Sequence, residues 1–146
     1  MQVYNEQRDL PGCLEHLREH VDGFIVLDDG STDDTKRIIR REPALLELIE
    51  NPATHPHVWN ERENKRRLLE AARRHGAQWV LVCDADQRFE RLFVNGLRAL
   101  AQALDSLGFW MLSVSCRELW ERPDCYRVDG PWWAKNDARL LKLPHV

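Results

Sequence analysis

Two carboxylates one residue apart, Asp84 and Asp86, follow the apolar run Trp79-Val80-Leu81-Val82-Cys83. In a strand, side chains two apart lie on one side, so both carboxylates can converge on one point. Like charges that close repel unless a cation or a donor stands between them. An all-oxygen pair suits a hard divalent ion, Mg²⁺ or Mn²⁺, which fills the rest of its shell with water and phosphate oxygens. Alone, Asp-x-Asp reads more often as a solvated turn, because Asp hydrogen-bonds turn backbone. A second loop of the same design argues for more: Phe24-Ile25-Val26-Leu27-Asp28-Asp29-Gly30-Ser31-Thr32-Asp33-Asp34-Thr35. There Ser31 or Thr32 can cap the following helix, and Asp33 and Asp34 suit its positive first turn. Capping does not explain the doubled Asp28-Asp29. Ligands of open α/β sheets sit beyond the carboxyl ends of the strands, where both acidic pairs fall.

The elements that must position these residues follow from periodicity. Leu10, Leu14, Leu17 and Val21 predict a helix over 9–20, with Pro11 in its tolerant first turn. Gly23 closes it, a strand over 24–27 follows, and a helix over 32–41 ends before Pro43. Residues 48–50 read as a short strand and 51–57 as a Pro-containing loop. A helix over 61–75, with Leu68, Leu69 and Ala72 on one face, stops at Gly76. A central strand over 79–83, a helix over 91–107 and a strand over 109–114 continue the alternation. Beyond Cys116 the pattern loosens: 118–121 reads as a turn of helix, 126–128 and 139–143 as short strands. The fold class expected is α/β, a mostly parallel sheet with helices on both faces and a short antiparallel edge element near the C-terminus. Residues 1–4 supply only the end of a first strand. The chain is thus expected to be a fragment, or a domain with a stunted strand whose open edge pairs in a homodimer.

With 146 residues, a single domain over 1–146 is expected. The 43% hydrophobic and 31% charged content is that of a globular protein. A net charge of −3 argues against nucleic-acid binding by bulk electrostatics. No apolar run has the length of a membrane span and no signal peptide is read at the start. A cytoplasmic place is expected, compatible with peripheral association at the inner face of a membrane. Cys13, Cys83, Cys116 and Cys125 lack metal-finger spacing and read as reduced thiols. His55 and His57, in His-x-His, lack further zinc ligands and read as surface residues. No Gly-x-Gly-x-x-Gly occurs, which argues against dinucleotide binding.

The series Val3-Tyr4-Asn5-Glu6, Leu10-Pro11-Gly12-Cys13-Leu14, Leu27-Asp28-Asp29-Gly30-Ser31-Thr32-Asp33 and Asp84-Ala85-Asp86 resembles the family 2 glycosyltransferases in order and spacing. The resemblance covers roughly the first two thirds of the chain. It implies the Rossmann-like type A nucleotide-sugar fold, with a nucleotide-sugar-binding half over 1–115 and a partial acceptor-side segment over 116–146. It implies metal-dependent transfer of a sugar from a nucleoside diphosphate to a hydroxyl acceptor, with Mn²⁺ or Mg²⁺ as cofactor. Tyr4 and Asn5 would line the base pocket. Asp28 resembles the carboxylate that meets a base N–H, with Asp29 beside it. Arg62, then Arg66, would approach the nucleotide. Asp84 would help hold ribose and metal, and Asp86 would bind the metal directly. A base for the acceptor hydroxyl would come from downstream; Asp129, Asp137 and Asp124 are taken in that order, with Glu118 and Glu121 also available. His145 could add a metal ligand. Gln87 departs from the pattern, since a close subgroup often has Glu there.

Trp132 and Trp133 could stack on a sugar or pack in a core. The run Arg139-Leu140-Leu141-Lys142 is faintly similar to the cell-envelope branch, which favours a glycan or lipid-linked acceptor. A truncated, non-catalytic nucleotide-binding or assembly module is the alternative. A nucleotidyltransferase would want a Gly- and Arg-rich loop where Tyr4-Asn5-Glu6-Gln7 stands.

Overall fold

A computed structural model describes residues 1–120, 122–127 and 135–144. The first half is β1 (Gln2–Val3), α1 (Leu10–Leu17), β2 (Phe24–Asp28), α2 (Thr35–Arg40) and β3 (Leu45–Glu50). Its strands form a parallel sheet in the order β1-β2-β3, with Val3 opposite Asp28 and Asp28 opposite Glu50. β2 is apolar on both faces, as a strand between two helical layers must be. Val26 packs in one cluster with Leu10, Cys13, Leu14 and Ile39 of α1 and α2. Leu27 packs in another with Ile49 and with Ala71 of the next helix, α3 (Glu61–Arg74). Helices therefore lie on both sides of the sheet.

The remaining elements are β4 (Trp79–Leu81), α4 (Arg91–Ser106), β5 (Met111–Ser115), β6 (Leu119–Trp120), β7 (Arg122–Tyr126) and β8 (Asn136–Lys142). β8 runs antiparallel to both β4 and β5 and lies between them, so β4 and β5 point the same way. The βα alternation thus keeps a mostly parallel architecture, and the late segments supply its antiparallel part. β8, not β4, is the middle strand of this second sheet. Residues 118–121 were expected as a turn of helix. Instead Leu119 pairs with Tyr126 in the β6–β7 ladder. One isolated helical turn fixes several dihedrals for a single hydrogen bond, and cross-strand pairing wins. α2 begins three residues later than expected because Asp33 Oδ1 accepts the Thr35 N–H at 2.9 Å, while the Thr32 N–H donates to Asn5 Oδ1 at 2.8 Å. The α1–α2 cluster also takes in Val3, Cys83, Ala85 and Val94, so one core underlies the ends of both sheets. Among the described residues, no helix is long and apolar enough to cross a membrane.

Glu42 fixes the corner between α2 and β3. Its buried carboxylate accepts from Arg18 Nε at 2.9 Å and Nη2 at 2.8 Å, and from the Ala44 N–H at 3.0 Å. The Arg18 hydrogen bonds, foremost, hold the Glu42 carboxyl below its ordinary value. A depressed carboxylate stabilises the fold above its unfolded-state value, and the contribution disappears as pH falls through the folded value. Glu42→Gln should therefore cost about 1–2 kcal/mol at neutral pH. The gap to wild type should close below the ordinary carboxylate range. Urea melts across a pH series check this; a gap that does not vary with pH would contradict it.

Candidate functional site

Three loops meet at the carboxyl edge: 4–9 after β1, 29–34 after β2 and 82–90 after β4. The motif residues of the first two fasten these loops to each other. Asn5 takes a left-handed backbone (φ 55°), which Asn tolerates. Its N–H donates to Ser31 Oγ at 2.9 Å. The Glu6 N–H donates to Thr35 Oγ1 at 2.8 Å, the Gln7 N–H to Asp33 Oδ2 at 3.2 Å, and the Asp34 N–H to Gln7 Oε1 at 3.1 Å. The third loop is tied in by Arg88, which donates to the Asp9 carbonyl at 2.9 Å, and by the Cys13 and Cys83 thiols, 3.5 Å apart.

Asp28 is fully buried. Its Oδ2 accepts from the Gly30 and Ser31 N–H groups at 3.2 and 3.0 Å and lies 3.6 Å from Lys36 Nζ. Asp29 points elsewhere: Oδ2 accepts from Gln2 at 3.1 Å and Oδ1 from Asn51 Nδ2 at 2.6 Å. Asn51 also donates to Asn64 Oδ1 at 3.0 Å and receives Arg67 on its own oxygen. His57 Nε2 lies 2.9 Å from the Asp29 carbonyl and 3.4 Å from its carboxylate. The His57 ring stacks on Tyr4 at 3.9 Å, and Trp59 meets both rings edge-on. Asp28 Oδ1, His57 Nδ1 and Asn64 Nδ2 are buried with no hydrogen-bond partner among the described residues. His57 and Asn64 belong to the side chains gathered about Asp29, whereas Asp28, its chain neighbour, turns to Gly30, Ser31 and Lys36. Each such atom costs about 1–3 kcal/mol unless a water or ligand meets it.

Asp84 and Asp86 follow β4 and are both exposed, with Ala85 buried between them. Asp84 Oδ2 accepts from Gln87 Nε2 at 2.6 Å and from Arg139 Nη1 at 3.4 Å. Arg139 Nη2 donates to Asp137 Oδ2 at 3.0 Å, and the Cys116 thiol donates to the same oxygen at 3.2 Å. Asp86 has no ion pair or hydrogen bond among the described residues. Burial, and then the charges of Asp86, Asp9, Asp33 and Asp84, push the Glu6 carboxyl above its ordinary value. Negative potential therefore accumulates between the first and third loops. No group of three or more His, Cys, Asp or Glu side chains could by itself hold a metal ion among the described residues.

Tyr4, Asn5, Asp28 and Asp29 thus form one assembly, and Asp84 and Asp86 lie along the same edge. Arg62 and Arg66 share the exposed face of α3, one turn apart. Arg66 pairs there with Glu63 and Glu70, and Arg67 is the residue that reaches the Asp29 cluster. Asp137 sits at the entry of β8, where the Cys116 hydrogen bond and then Arg139 hold its carboxyl low. Asp124 belongs to β7. Asp129, Glu121, Trp132, Trp133 and His145 lie outside the described residues. His57, expected at the surface, is instead packed between Tyr4 and Asp29, because the loop after β3 folds back over the β2 end. Asn51 and Trp59 carry no motif, and Arg139 stood out only within the run Arg139-Leu140-Leu141-Lys142. The available signal was His-x-Trp after a strand and before a helix start, at the edge where ligands bind.

The model of the family described as glycosyl transferase family 2 matches residues 1–142. The chain is 31% identical to the Mycobacterium tuberculosis protein Rv3786c and to the Mycobacterium bovis protein Mb3815c, over 98% of its own length and 39% of theirs. It is 30% identical to a TPR repeat-containing protein of Synechococcus elongatus, over 98% of its length and 36% of the relative's. The chain thus spans well under half of the curated relatives it matches.

Proposed function

The chain belongs to glycosyl transferase family 2, and on that footing we propose that its carboxyl edge binds a nucleoside diphosphate sugar and passes the sugar to a hydroxyl acceptor. The observation that carries this reading is that His57 and Asn64, gathered about Asp29, each keep a buried polar atom without a partner among the described residues, beside the exposed ring of Trp59. A nucleobase offers flat faces to Tyr4 and Trp59 and a polar edge to Asp28, Asp29, His57 and Asn64. Asn5 holds the loops that frame it, and Arg62, exposed at the first turn of α3 and without an ion pair among the described residues, offers a cation for phosphate. The diphosphate then extends toward Asp84 and Asp86. Two exposed hard-oxygen donors, beside a Glu6 carboxyl that burial and then the neighbouring carboxylates push up, fit Mn²⁺ or Mg²⁺, the remaining ligands being phosphate and water. Such an ion, when bound, neutralises charge on the departing diphosphate.

In the transfer, the acceptor oxygen attacks the sugar's anomeric carbon, the bond to the diphosphate breaks, and the hydroxyl proton passes to a base. Of the three candidates for that base, Asp137 has surroundings that argue against it. A carboxylate held low by Cys116 and Arg139 is a weak base. Asp129 and Asp124 remain, and the acceptor we infer is a glycan or lipid-linked hydroxyl.

Without metal, the Asp84–Asp86 edge should repel a diphosphate. UDP or GDP is therefore expected to bind about tenfold or more tightly with Mn²⁺ than in chelator. Calorimetry tests this, and equal affinity in both conditions would overturn the metal reading. Donor hydrolysis or transfer tests the enzyme reading. Tight nucleotide binding with no turnover of UDP- or GDP-sugars would favour the non-catalytic module.

A further inference from the structure

Arg139 is nearly buried, with 9% of its side chain exposed, and none of the steps above uses it. A buried guanidinium is costly, and an apolar residue of similar size would usually serve stability as well. Its position is also irregular. Against β5, Leu112 pairs with Leu140 and Ser113 with Ala138, so Arg139 is the extra residue of a β-bulge. Alternation breaks there, and Arg139 and Leu140 are buried in succession. Bulges next to binding edges re-aim a side chain. This one accompanies a guanidinium that spans Asp84 Oδ2, at 3.4 Å, and Asp137 Oδ2, at 3.0 Å.

The pattern on Asp84 is one-sided. Gln87 Nε2 and Arg139 Nη1 both meet Oδ2, and Gln87 is itself fixed by accepting the Asp84 N–H at 3.1 Å. Oδ1 takes no partner among the described residues. We infer that Arg139 is a positioning residue: with Gln87 it clamps Asp84 by Oδ2, so that Oδ1 alone is presented to a divalent cation, and Asp137 serves as its anchor. The inference deepens the donor-site reading and rests on it. It gives Gln87 a role that a Glu could not fill, since a carboxylate cannot donate to Oδ2.

Charge and position predict opposite results, which makes the inference testable. If Arg139 is only a counter-charge, Arg139→Gln removes a repelling cation and Mn²⁺ binds more tightly. If it positions Asp84, the same change weakens Mn²⁺ by about tenfold, the usual scale for residues that orient metal ligands. Free Mn²⁺ would be read by electron paramagnetic resonance in titrations of the full chain, with and without UDP, alongside a thermal melt. Arg139→Lys should recover only part of the affinity, because an ammonium cannot bridge two carboxylates as a planar fork does. Asp137→Asn should weaken Mn²⁺ by a smaller factor. Loss of turnover in Asp137→Asn with unchanged Mn²⁺ binding would instead make Asp137 the base. Unchanged or tighter Mn²⁺ binding by folded Arg139→Gln would overturn the inference. Should that variant fail to fold, Gln87→Ala removes the other half of the clamp without changing charge, and unaltered Mn²⁺ affinity there would overturn it equally. A wild type that binds Mn²⁺ but neither UDP nor GDP would sink the donor reading and leave the clamp standing. A wild type that binds UDP with no Mn²⁺ uptake would do the reverse.

Discussion

Asp86→Asn is expected to lower sugar transfer by about 10²–10³-fold while leaving the melting temperature unchanged. The side chain is exposed and makes no bond among the described residues that the fold would miss. Asn keeps its shape and removes only its charge. Asp86 is one of several carboxylates at this edge, with Asp84, Asp33 and Asp9, whose charges act together on Glu6 after burial. On the proposed reading a cation would sit against this carboxylate and would also neutralise the departing diphosphate. Asp84→Asn should also lower transfer, but with a lowered melting temperature, because the nearly buried Arg139 loses the charge it pairs with. The contrast between the two melts separates a residue that only binds from one that is also built in. Steady-state rates and calorimetric scans on the purified variants decide it. Retained activity in Asp86→Asn would remove this carboxylate from the mechanism.

Much of this edge was legible in the sequence because its signals are local. Apolar runs ended by carboxylates mark strands reaching a carboxyl edge, and helical spacing marks α1, α3 and α4 within a few residues. The doubled Asp28-Asp29 could be separated from capping chemistry, but the division of labour within it could not. Which Asp turns inward depends on β2 being buried on both faces, and that is a property of the sheet. The sequence likewise showed Ser31, Thr32 and Asp33 as capping residues. In the structure α2 starts instead after Asp34, without a side-chain cap; Ser31 and Asp33 accept N–H groups of the β1–α1 loop, and the Thr32 N–H donates to Asn5, bonds made over 26 or 27 residues of chain.

What stayed hidden is non-local in the same sense. His57 and Trp59 sit in a Pro-containing stretch that reads as solvated loop. Only the stacking of His57 on Tyr4, from the far end of the sheet, makes it part of a site. Arg139 looked like one cation in a strand with Leu neighbours. Its role depends on a bulge, and a bulge is set by pairing register with β5 rather than by anything adjacent in sequence. The run 118–121 shows the limit from the other side. Four residues hold too little pattern to choose between a helical turn and a strand, and for Leu119 the partner at Tyr126 chose.

Gly30→Ala should cost about 2–4 kcal/mol. For a domain of this size that is roughly a 5–15 °C lower melting temperature. Gly30 has φ of +83°, a conformation that a Cβ makes unfavourable by roughly 1–2 kcal/mol. The added Cβ would also stand 2.8 Å from the Pro52 carbonyl oxygen and 2.9 Å from Ala53 Cα. These are backbone atoms and cannot rotate away. Relief requires moving the segment that follows β3. That segment carries Asn51, whose N–H donates to the Asp28 carbonyl at 2.8 Å and whose side chain holds Asp29, and further on His57 and Trp59. The damage should therefore extend beyond stability to nucleotide affinity, through a residue that touches no nucleotide. Gly76→Ala is the matched comparison. Gly76 also has positive φ, +69°, but a Cβ there meets nothing within 4 Å. It should lose only the conformational part, about 1 kcal/mol, and bind UDP or GDP as the wild type does. Melts and calorimetry on both variants separate the two contributions. Equal losses in the two would mean that the close approach of Gly30 to the 51–59 loop does not hold the base pocket together.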